Sequence, residues 1–243
     1  MGRHKTPEKV FTANETNDRL QDLFRNHDFG HISHAERMKM AEYYVMLMEK
    51  QKTLNITRLL TLHEVGVKHF IDCAIVPRLT KLQFPLMDVG TGPGLPGIPL
   101  KILFPKEKII LAEGVQKRVD FLKDVRDQLQ LENLPIIGRN INPWFFYPVR
   151  GVITRAVEDV RNTLSNVIFS LQLGGQVYFM KGPGVDPEID LAKSEMSEFY
   201  KLEKDIAYEL PKTKLERRLL VYTKIKHKEL PDFEDEPYPD GED

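Results

Sequence analysis

Asp88 closes a short apolar run, and three glycines spaced by single residues, Gly90, Gly92 and Gly94, follow it in LMDVGTGPGLPGIPL (Leu86–Leu100). Glycines at such a strand-to-helix turn let the chain bend sharply and let a ligand lie against bare main chain. Asp88 selects the ligand. An acid beside the turn repels the pyrophosphate of a dinucleotide but attracts the ammonium and sulfonium of S-adenosylmethionine. Thr91 and Leu95, in the same loop, join Asp88 and the three glycines as expected donor contacts. A second reading stays open, because Gly92, Gly94 and Gly97 also spell G-x-G-x-x-G, with Glu113 about twenty residues on, as a dinucleotide fingerprint asks. Pro93 and Pro96 weigh against it, since neither has an N–H to offer an anion.

Further groups of useful chemistry stand where apolar runs end: Glu113, Arg139, Thr154-Arg155 and Lys181. Glu113 occupies the position from which a carboxylate accepts from both hydroxyls of a ribose. Capping of the next helix, beside Lys117 and Arg118, is its plain structural alternative. Arg155 either faces a cleft or pairs with Asp72 or Glu158, and the sequence weighs these equally. His69 and Asp72 share one helical face, as an acid–base pair or, more commonly, as partners in a helix hydrogen bond. The seven histidines form no H-E-x-x-H and no Cys/His cluster, so no metal is expected. There is no G-x-S-x-G and no P-loop.

The elements that must position these groups alternate from Phe84 onward. Strands are predicted at Leu86–Val89, Lys108–Ala112, Pro135–Ile137, Gly151–Thr154, Gln176–Met180 and Leu219–Ile225. Helices are predicted at Ile98–Phe104, Gln116–Gln130 and Val157–Leu171, the last stopped by Gly174-Gly175. Such alternation means an α/β fold, a mostly parallel sheet with helices on both faces, whose ligands sit beyond the carboxyl ends of the strands. Ahead of this core (84–228), residues 1–15 are expected to be a flexible N-terminus and 16–83 a helical extension. The extension reads as Thr16–His27, Ser33–Lys52 and Leu62–Val76, the last ending before Pro77. Ser33-x-x-Glu36 is a capping box, and Ala41, Tyr44, Val45 and Met48 form a core stripe at helical spacing.

At 243 residues, 41% hydrophobic and 29% charged, the chain suits one soluble α/β domain with a modest extension. The single cysteine, Cys73, excludes an internal disulfide framework, suits a reducing cytoplasm and is read as a packing residue. No apolar run approaches the roughly twenty residues of a membrane span, and MGRHKTPEKV lacks the apolar core of a signal peptide. The net charge of −1 hides an asymmetry: the tail 229–243, ELPDFEDEPYPDGED, holds eight acids and no Lys or Arg, leaving 35 basic against 28 acidic groups before it. That surplus is compatible with a polyanion such as RNA. The tail is most simply a disordered solubilising end, and competition with RNA phosphate for a basic cleft is its rarer alternative.

Taken in order, Leu54-Asn55-Ile56-Thr57, His69-Phe70-Ile71-Asp72, DVGTGPGLPGIPL, Lys117-Arg118, Ile153-Thr154-Arg155-Ala156, Lys181-Gly182 and Glu216-Arg217-Arg218 resemble the landmarks of the GidB/RsmG family, bacterial 16S rRNA guanine-N7 methyltransferases. The resemblance implies a class I S-adenosylmethionine-dependent methyltransferase fold, Rossmann-like, with an N-terminal helical extension. It implies a guanine in the decoding-centre loop as acceptor, on 16S rRNA or a small-subunit assembly intermediate. A cytoplasmic monomer without metal or membrane is expected. By matched position, Gly90, Gly92 and Gly94 cradle the methionine part of the donor and Glu113 holds the ribose. His69, Asp72, Arg139, Arg155 and Arg217 line the catalytic and RNA cleft, with Arg155 also reaching the donor. Lys117, Arg118, Arg139, Lys181 and Arg217 are the expected RNA contacts.

Three departures from the family pattern stand out. Where the family shows Arg-x-Glu, this chain has Arg139-Asn140-Ile141, so the acid near the donor's adenine is missing, and either Asn140 or Asn142 substitutes or donor affinity is reduced. The usual Asp-Ser is Glu113-Gly114, and a basic tail is replaced by an acidic one. Guanine N7 has an in-plane lone pair and no proton to lose, so methyl transfer there needs placement rather than a general base. The base must leave its stack. Asp72 is expected to accept from guanine N1–H and N2–H, and Arg155 to stack on the base or clamp a phosphate. Two rivals remain at this point: a nicotinamide-dependent oxidoreductase, and a non-catalytic RNA-binding or ribosome-assembly protein that keeps the fold.

Overall fold

Thr12 caps the first helix, α1 (Ala13–Asn26), through a reciprocal pair with Glu15, in a computed structural model that describes residues 9–155 and 157–229. Such a cap contributes about 1 kcal/mol, and it starts the helix inside the stretch expected to be flexible; residues 1–8 of that stretch lie outside the described residues. Ser33 and Glu36 form the predicted capping box on α2 (His34–Leu54). Ala41, Tyr44 and Met48 are fully buried, while Val45 is half-buried. The segment predicted as one helix up to Pro77 is three pieces: α3 (Leu62–Val65), a π-helical stretch (Gly66–Ile71) and α4 (Asp72–Leu79). Pro77 does not end it. Its fixed φ is itself helical and its missing N–H costs a single bond near the helix end.

The strands β1 (Leu86–Val89), β2 (Ile109–Ala112), β3 (Ile136–Ile137), β4 (Val149–Arg155), β5 (Leu171–Lys181), β6 (Tyr200–Glu209) and β7 (Glu216–Lys224) form one sheet of order β3-β2-β1-β4-β5-β7-β6. All neighbours are parallel except β7, which runs antiparallel to β5 and β6. Between them lie α5 (Gly97–Leu103), α6 (Gln116–Gln128), α7 (Val160–Asn166) and α8 (Asp186–Met196). The six predicted strands are present; α8 and β6 had not been foreseen. The predicted helix Val157–Leu171 is corrected to the short α7, capped by Asp159 on the Asn162 N–H. Gly174-Gly175 stops no helix. It makes a bulge in β5, where the register jumps from Val149↔Leu171 to Gly151↔Gln176 and Gly174 takes φ +73°.

Side chains alternate across the sheet with the period of a strand. Leu86, Ile109, Leu111, Ile153, Tyr178 and Val221 face a core shared with α1, α2, α4, α5 and α6. Met87, Ile110, Val152, Val177, Phe179 and Leu220 face a second core with α7 and α8. The N-terminal helices therefore pack into the same core as one face of the sheet. Strand order reverses between β1 and β4, which opens a crevice at their carboxyl ends. No helix of the described residues is long and apolar enough to cross a membrane.

Candidate functional site

The loop after β1 is clamped by two carboxylates and one tyrosine. Asp88 lies fully buried within β1, and its Oδ2 accepts from the Thr91 hydroxyl at 2.5 Å and from the Gly97 N–H at 2.7 Å. Its Oδ1 is buried and, among the described residues, has no hydrogen-bond partner. Burial pushes the Asp88 pKa up to about 7, against the pull of those two hydrogen bonds. Glu113, just past β2, accepts from the Gly92 N–H through one oxygen and from the Val115 N–H through the other, both at 2.9 Å. Arg118 stands 3.5 Å from the same carboxylate. From the extension, the Tyr43 hydroxyl donates to the Pro93 carbonyl at 2.9 Å.

Gly92 is the open face of this loop. It has φ +60°, and a Cβ placed on it would meet nothing within 4 Å. The space in front is a cleft of 410 Å³ whose lining includes Gly90, Thr91, Leu95, Glu113, Asn140 and Arg155. Its size is that of a small-molecule site. The unpartnered Oδ1 of a buried acid beneath the loop suits a cationic ligand, and each Glu113 oxygen keeps a lone pair for a hydroxyl. S-adenosylmethionine fits these features. Two departures from the family pattern prove to be one: a Cβ on Gly114 would land on the Asn140 carboxamide. Ile141, where an acid was expected, is buried in the second core. Asn140 thus faces the cleft, while Asn142 accepts from the Trp144 N–H at 3.1 Å.

Behind Arg155, its one member that lines this cleft, lies a buried charge cluster. Asp72, 2% exposed, meets Arg155 at 3.4 Å and Arg217 at 3.7 Å, and accepts from the Tyr208 hydroxyl at 3.3 Å. Arg155 also donates to the Lys68 carbonyl at 3.0 Å and contacts His69 Nδ1 at 3.1 Å. The same ring nitrogen lies 3.0 Å from the Lys68 carbonyl, so it is faced by a donor and by an acceptor. Burial, aided by the Arg155 charge, pushes the His69 pKa down to about 3, which keeps the ring neutral. Burial pushes the Asp72 carboxyl up, and Arg155 and Arg217 pull it back.

Several expected roles change in this light. His69 and Asp72 do not bond each other but converge on Arg155, which both pairs with Asp72 and lines the cleft. The expected contact of Asp72 with a guanine edge finds no support, since its oxygens are turned to Arg155, Arg217 and Tyr208. Lys181, expected on RNA, is only 10% exposed, donates to the Glu158 carbonyl at 2.6 Å and pairs with Glu188 at 2.8 Å. Lys117 and Arg139 are exposed, the latter lying 5.4 Å from the Phe145 ring. Tyr43 and Tyr208 were missed: the first lies outside the stripe read on α2, though it is fully buried, and the second sits on the unforeseen β6. Among the described residues no group of His, Cys, Asp or Glu is arranged to hold a metal.

Comparison with known proteins identifies the family. The family model described as GidB, rRNA small subunit methyltransferase G, matches residues 36–220. The chain is 59% identical over 236 residues to ribosomal RNA small subunit methyltransferase G 2 of Bdellovibrio bacteriovorus, covering 97% of this chain and 92% of that protein. It is 37% identical to ribosomal RNA small subunit methyltransferase G of Carboxydothermus hydrogenoformans, over 82% of this chain and 88% of that one. Among solved structures, a methyltransferase from Pyrococcus furiosus aligns with TM-score 0.50 and 15% identity, covering 65% of this chain and 83% of that one. The ribosomal protein L11 methylase from Lactobacillus delbrueckii aligns with TM-score 0.50 and 11% identity, over 64% and 77%. Those two likenesses show the fold. The chain therefore belongs to the GidB family of small-subunit rRNA methyltransferases G and carries the class I S-adenosylmethionine-dependent methyltransferase fold.

Proposed function

We propose that this chain transfers a methyl group from S-adenosylmethionine to N7 of a guanine in the decoding-centre loop of 16S rRNA, as a cytoplasmic monomer acting on the RNA or on a small-subunit assembly intermediate. The observation that carries the reading is the joining, in one cleft, of the open Gly92 loop over Asp88 with Arg155 of the charge cluster. The donor, when bound, supplies an electrophilic methyl on its sulfonium. Asp88 and the loop would hold its cationic end, Glu113 its ribose and Asn140 its adenine end. Arg155 is the group that meets the acceptor, stacking on the base or holding a phosphate. Asp72, His69 and Tyr208 are positioning residues, which keep Arg155 and Arg217 aimed.

A neutral His69 costs the reaction nothing, because N7 has no proton to give up. The enzyme's work is alignment of N7, carbon and sulfur at near-attack distance. Lys117, Arg118, Arg139 and Arg217 would follow the RNA backbone, so RNA binding should weaken steeply with salt. Lys181 is assigned instead to holding the Glu158 and Glu188 segments together. The helical extension and the core act as one unit, since Tyr43 and Asp72 of the former support the cleft of the latter.

Probing 16S rRNA for N7-methylguanine in a strain lacking this chain tests the proposal. The modification should disappear and return with the wild-type chain, but not with Arg155→Ala. Its persistence in the deletion strain would leave the non-catalytic alternative standing. Equilibrium dialysis against S-adenosylmethionine and a nicotinamide dinucleotide separates the oxidoreductase alternative.

A further inference from the structure

At the end of the sheet opposite the cleft lies a second cavity, of 630 Å³, walled by Trp144, Phe146, Pro148 and Phe169 and bounded by Lys224 and Lys228. Val149 and Leu171, where β4 and β5 begin, mark this end, and Arg155 marks the other. With a strand rise of about 3.3 Å per residue, the length of β4 puts roughly 20 Å between them. Trp144 and Phe146 are 62% and 71% exposed, large aromatic surface of a kind that marks interaction sites. Trp144 and Phe169 stack at 6.3 Å and 22°.

Among the described residues the cavity also has a charge without a counterion. Lys224 is 2% exposed, and its ammonium donates to the carbonyls of Ile168 and of Leu171, the latter at 2.8 Å. Among the described residues no carboxylate pairs with it. An ammonium has three donors, and a buried cation favours an anionic partner. Lys228 and His227 add basic character at the rim. The site thus asks for a ligand that is acidic, carries rings and lies extended.

We propose that residues 230–243 of this same chain dock into this aromatic groove in cis. The segment begins two residues after Lys228 of the groove's own wall, and lies outside the described residues. Its sequence, LPDFEDEPYPDGED, offers Phe233 and Tyr238 to the stacked rings and acids to Lys224, Lys228 and His227. Pro231, Pro237 and Pro239 favour an extended polyproline-like chain, which loses little entropy on binding and is the form that aromatic-lined grooves recognise. The covalent tether supplies an effective concentration of about millimolar, so even weak contacts suffice. Docked there, the tail's acids stay at the far end of the sheet from the RNA cleft. The rarer alternative of a tail competing with RNA phosphate then becomes the state that docking prevents.

Trp144 is the chain's one tryptophan and reports the groove directly. Its fluorescence and its quenching by acrylamide should be compared in the full chain and in a chain truncated after Lys228. Truncation should red-shift the emission and raise quenching severalfold. A synthetic peptide of residues 229–243, added at about millimolar concentration, should reverse both. Phe233→Ala with Tyr238→Ala should mimic truncation, as should Lys228→Glu in part, and high salt should weaken docking through screening. Lys224→Met tests the buried cation, and the tail variants keep the test decisive if that variant fails to fold. Equal quenching in full and truncated chains overturns the proposal. So does protection that depends on protein concentration, which would mean the tail of a second copy. A truncation that changes donor or RNA affinity while leaving Trp144 unmoved places the tail in the cleft and overturns it too.

Discussion

The two walls of the cleft spend their acids differently. At the donor wall Asp88 and Glu113 accept from the backbone N–H groups of Gly97, Gly92 and Val115 and from the Thr91 hydroxyl, all within the segment from β1 to the start of α6. At the acceptor wall Asp72 gathers the side chains of Arg155, Tyr208 and Arg217 from three strands distant in sequence. Backbone donors are fixed by the turn itself, so the donor wall is stiff and local. The acceptor wall is a buried polar network whose members depend on one another, and such networks fail together. Removing one donor-wall contact should therefore act on one ligand, whereas removing one acceptor-wall contact should act on fold and catalysis at once.

Asp72→Ala is the most damaging test of that contrast. It leaves Arg155 and Arg217 without their shared carboxylate, a loss of about 3–5 kcal/mol for a broken buried pair. The lower end is expected because both guanidiniums keep some exposure. Urea unfolding measures it, and a loss like that of an ordinary surface substitution would dissolve the contrast. Arg155→Ala should lower kcat at saturating donor by about 10²-fold, the scale of a misaligned reacting pair, with donor affinity changing far less. Glu113→Ala should do the reverse. Loss of one to two charge-assisted hydrogen bonds, about 1.5–3 kcal/mol, weakens the donor roughly ten- to a hundredfold by calorimetry while kcat at saturation holds.

Gly114→Ser sharpens the donor side further. Its new side chain meets Asn140, at a cost of about 1–3 kcal/mol for overpacking. Asn140→Ala in the same chain should return most of that stability, and simple additivity of the two changes would refute their coupling. The smallest effect is a pH profile. A cation prefers ionised Asp88, so donor affinity should rise as pH climbs through about 7. It should fall again once the donor's own α-amino group deprotonates, near ~7.7–8.0. Asp88→Asn should erase the rising limb and leave the falling one.

The same contrast decides what the sequence could disclose. DVGTGPGLPGIPL was readable because glycine spacing is a local signal, and Glu113 because it closes the next apolar run. Strands β1 to β5 and β7 were readable from apolar runs bounded by turns. Strand β6 was not, for Tyr200–Glu209 carries Lys201, Glu203, Lys204 and Asp205 and sits at the sheet edge, where charge is tolerated and guards against unwanted pairing. Missing β6 hid Tyr208, and with it the reason Asp72 is satisfied without substrate. Helix α8 carried a legible sign in Pro187 near its start that went unread. The pairing of Gly114 with Asn140 was beyond reach, since each residue alone looks like a loss.

The π-helical stretch Gly66–Ile71 has a consequence for how this site tolerates change in chain length. Such a stretch holds one residue more than the α-helix it interrupts. An α-helix turns about 100° per residue, so the surplus residue works as a clutch between α3 and α4. Upstream of it Leu62 and Val65 bury into the core, and downstream Asp72 aims at Arg155. Deleting Val67 would restore an unbroken α-helix and swing one set of side chains by that angle against the other. The helix would survive in length and composition, and Asp72 would lose either its burial or its partners.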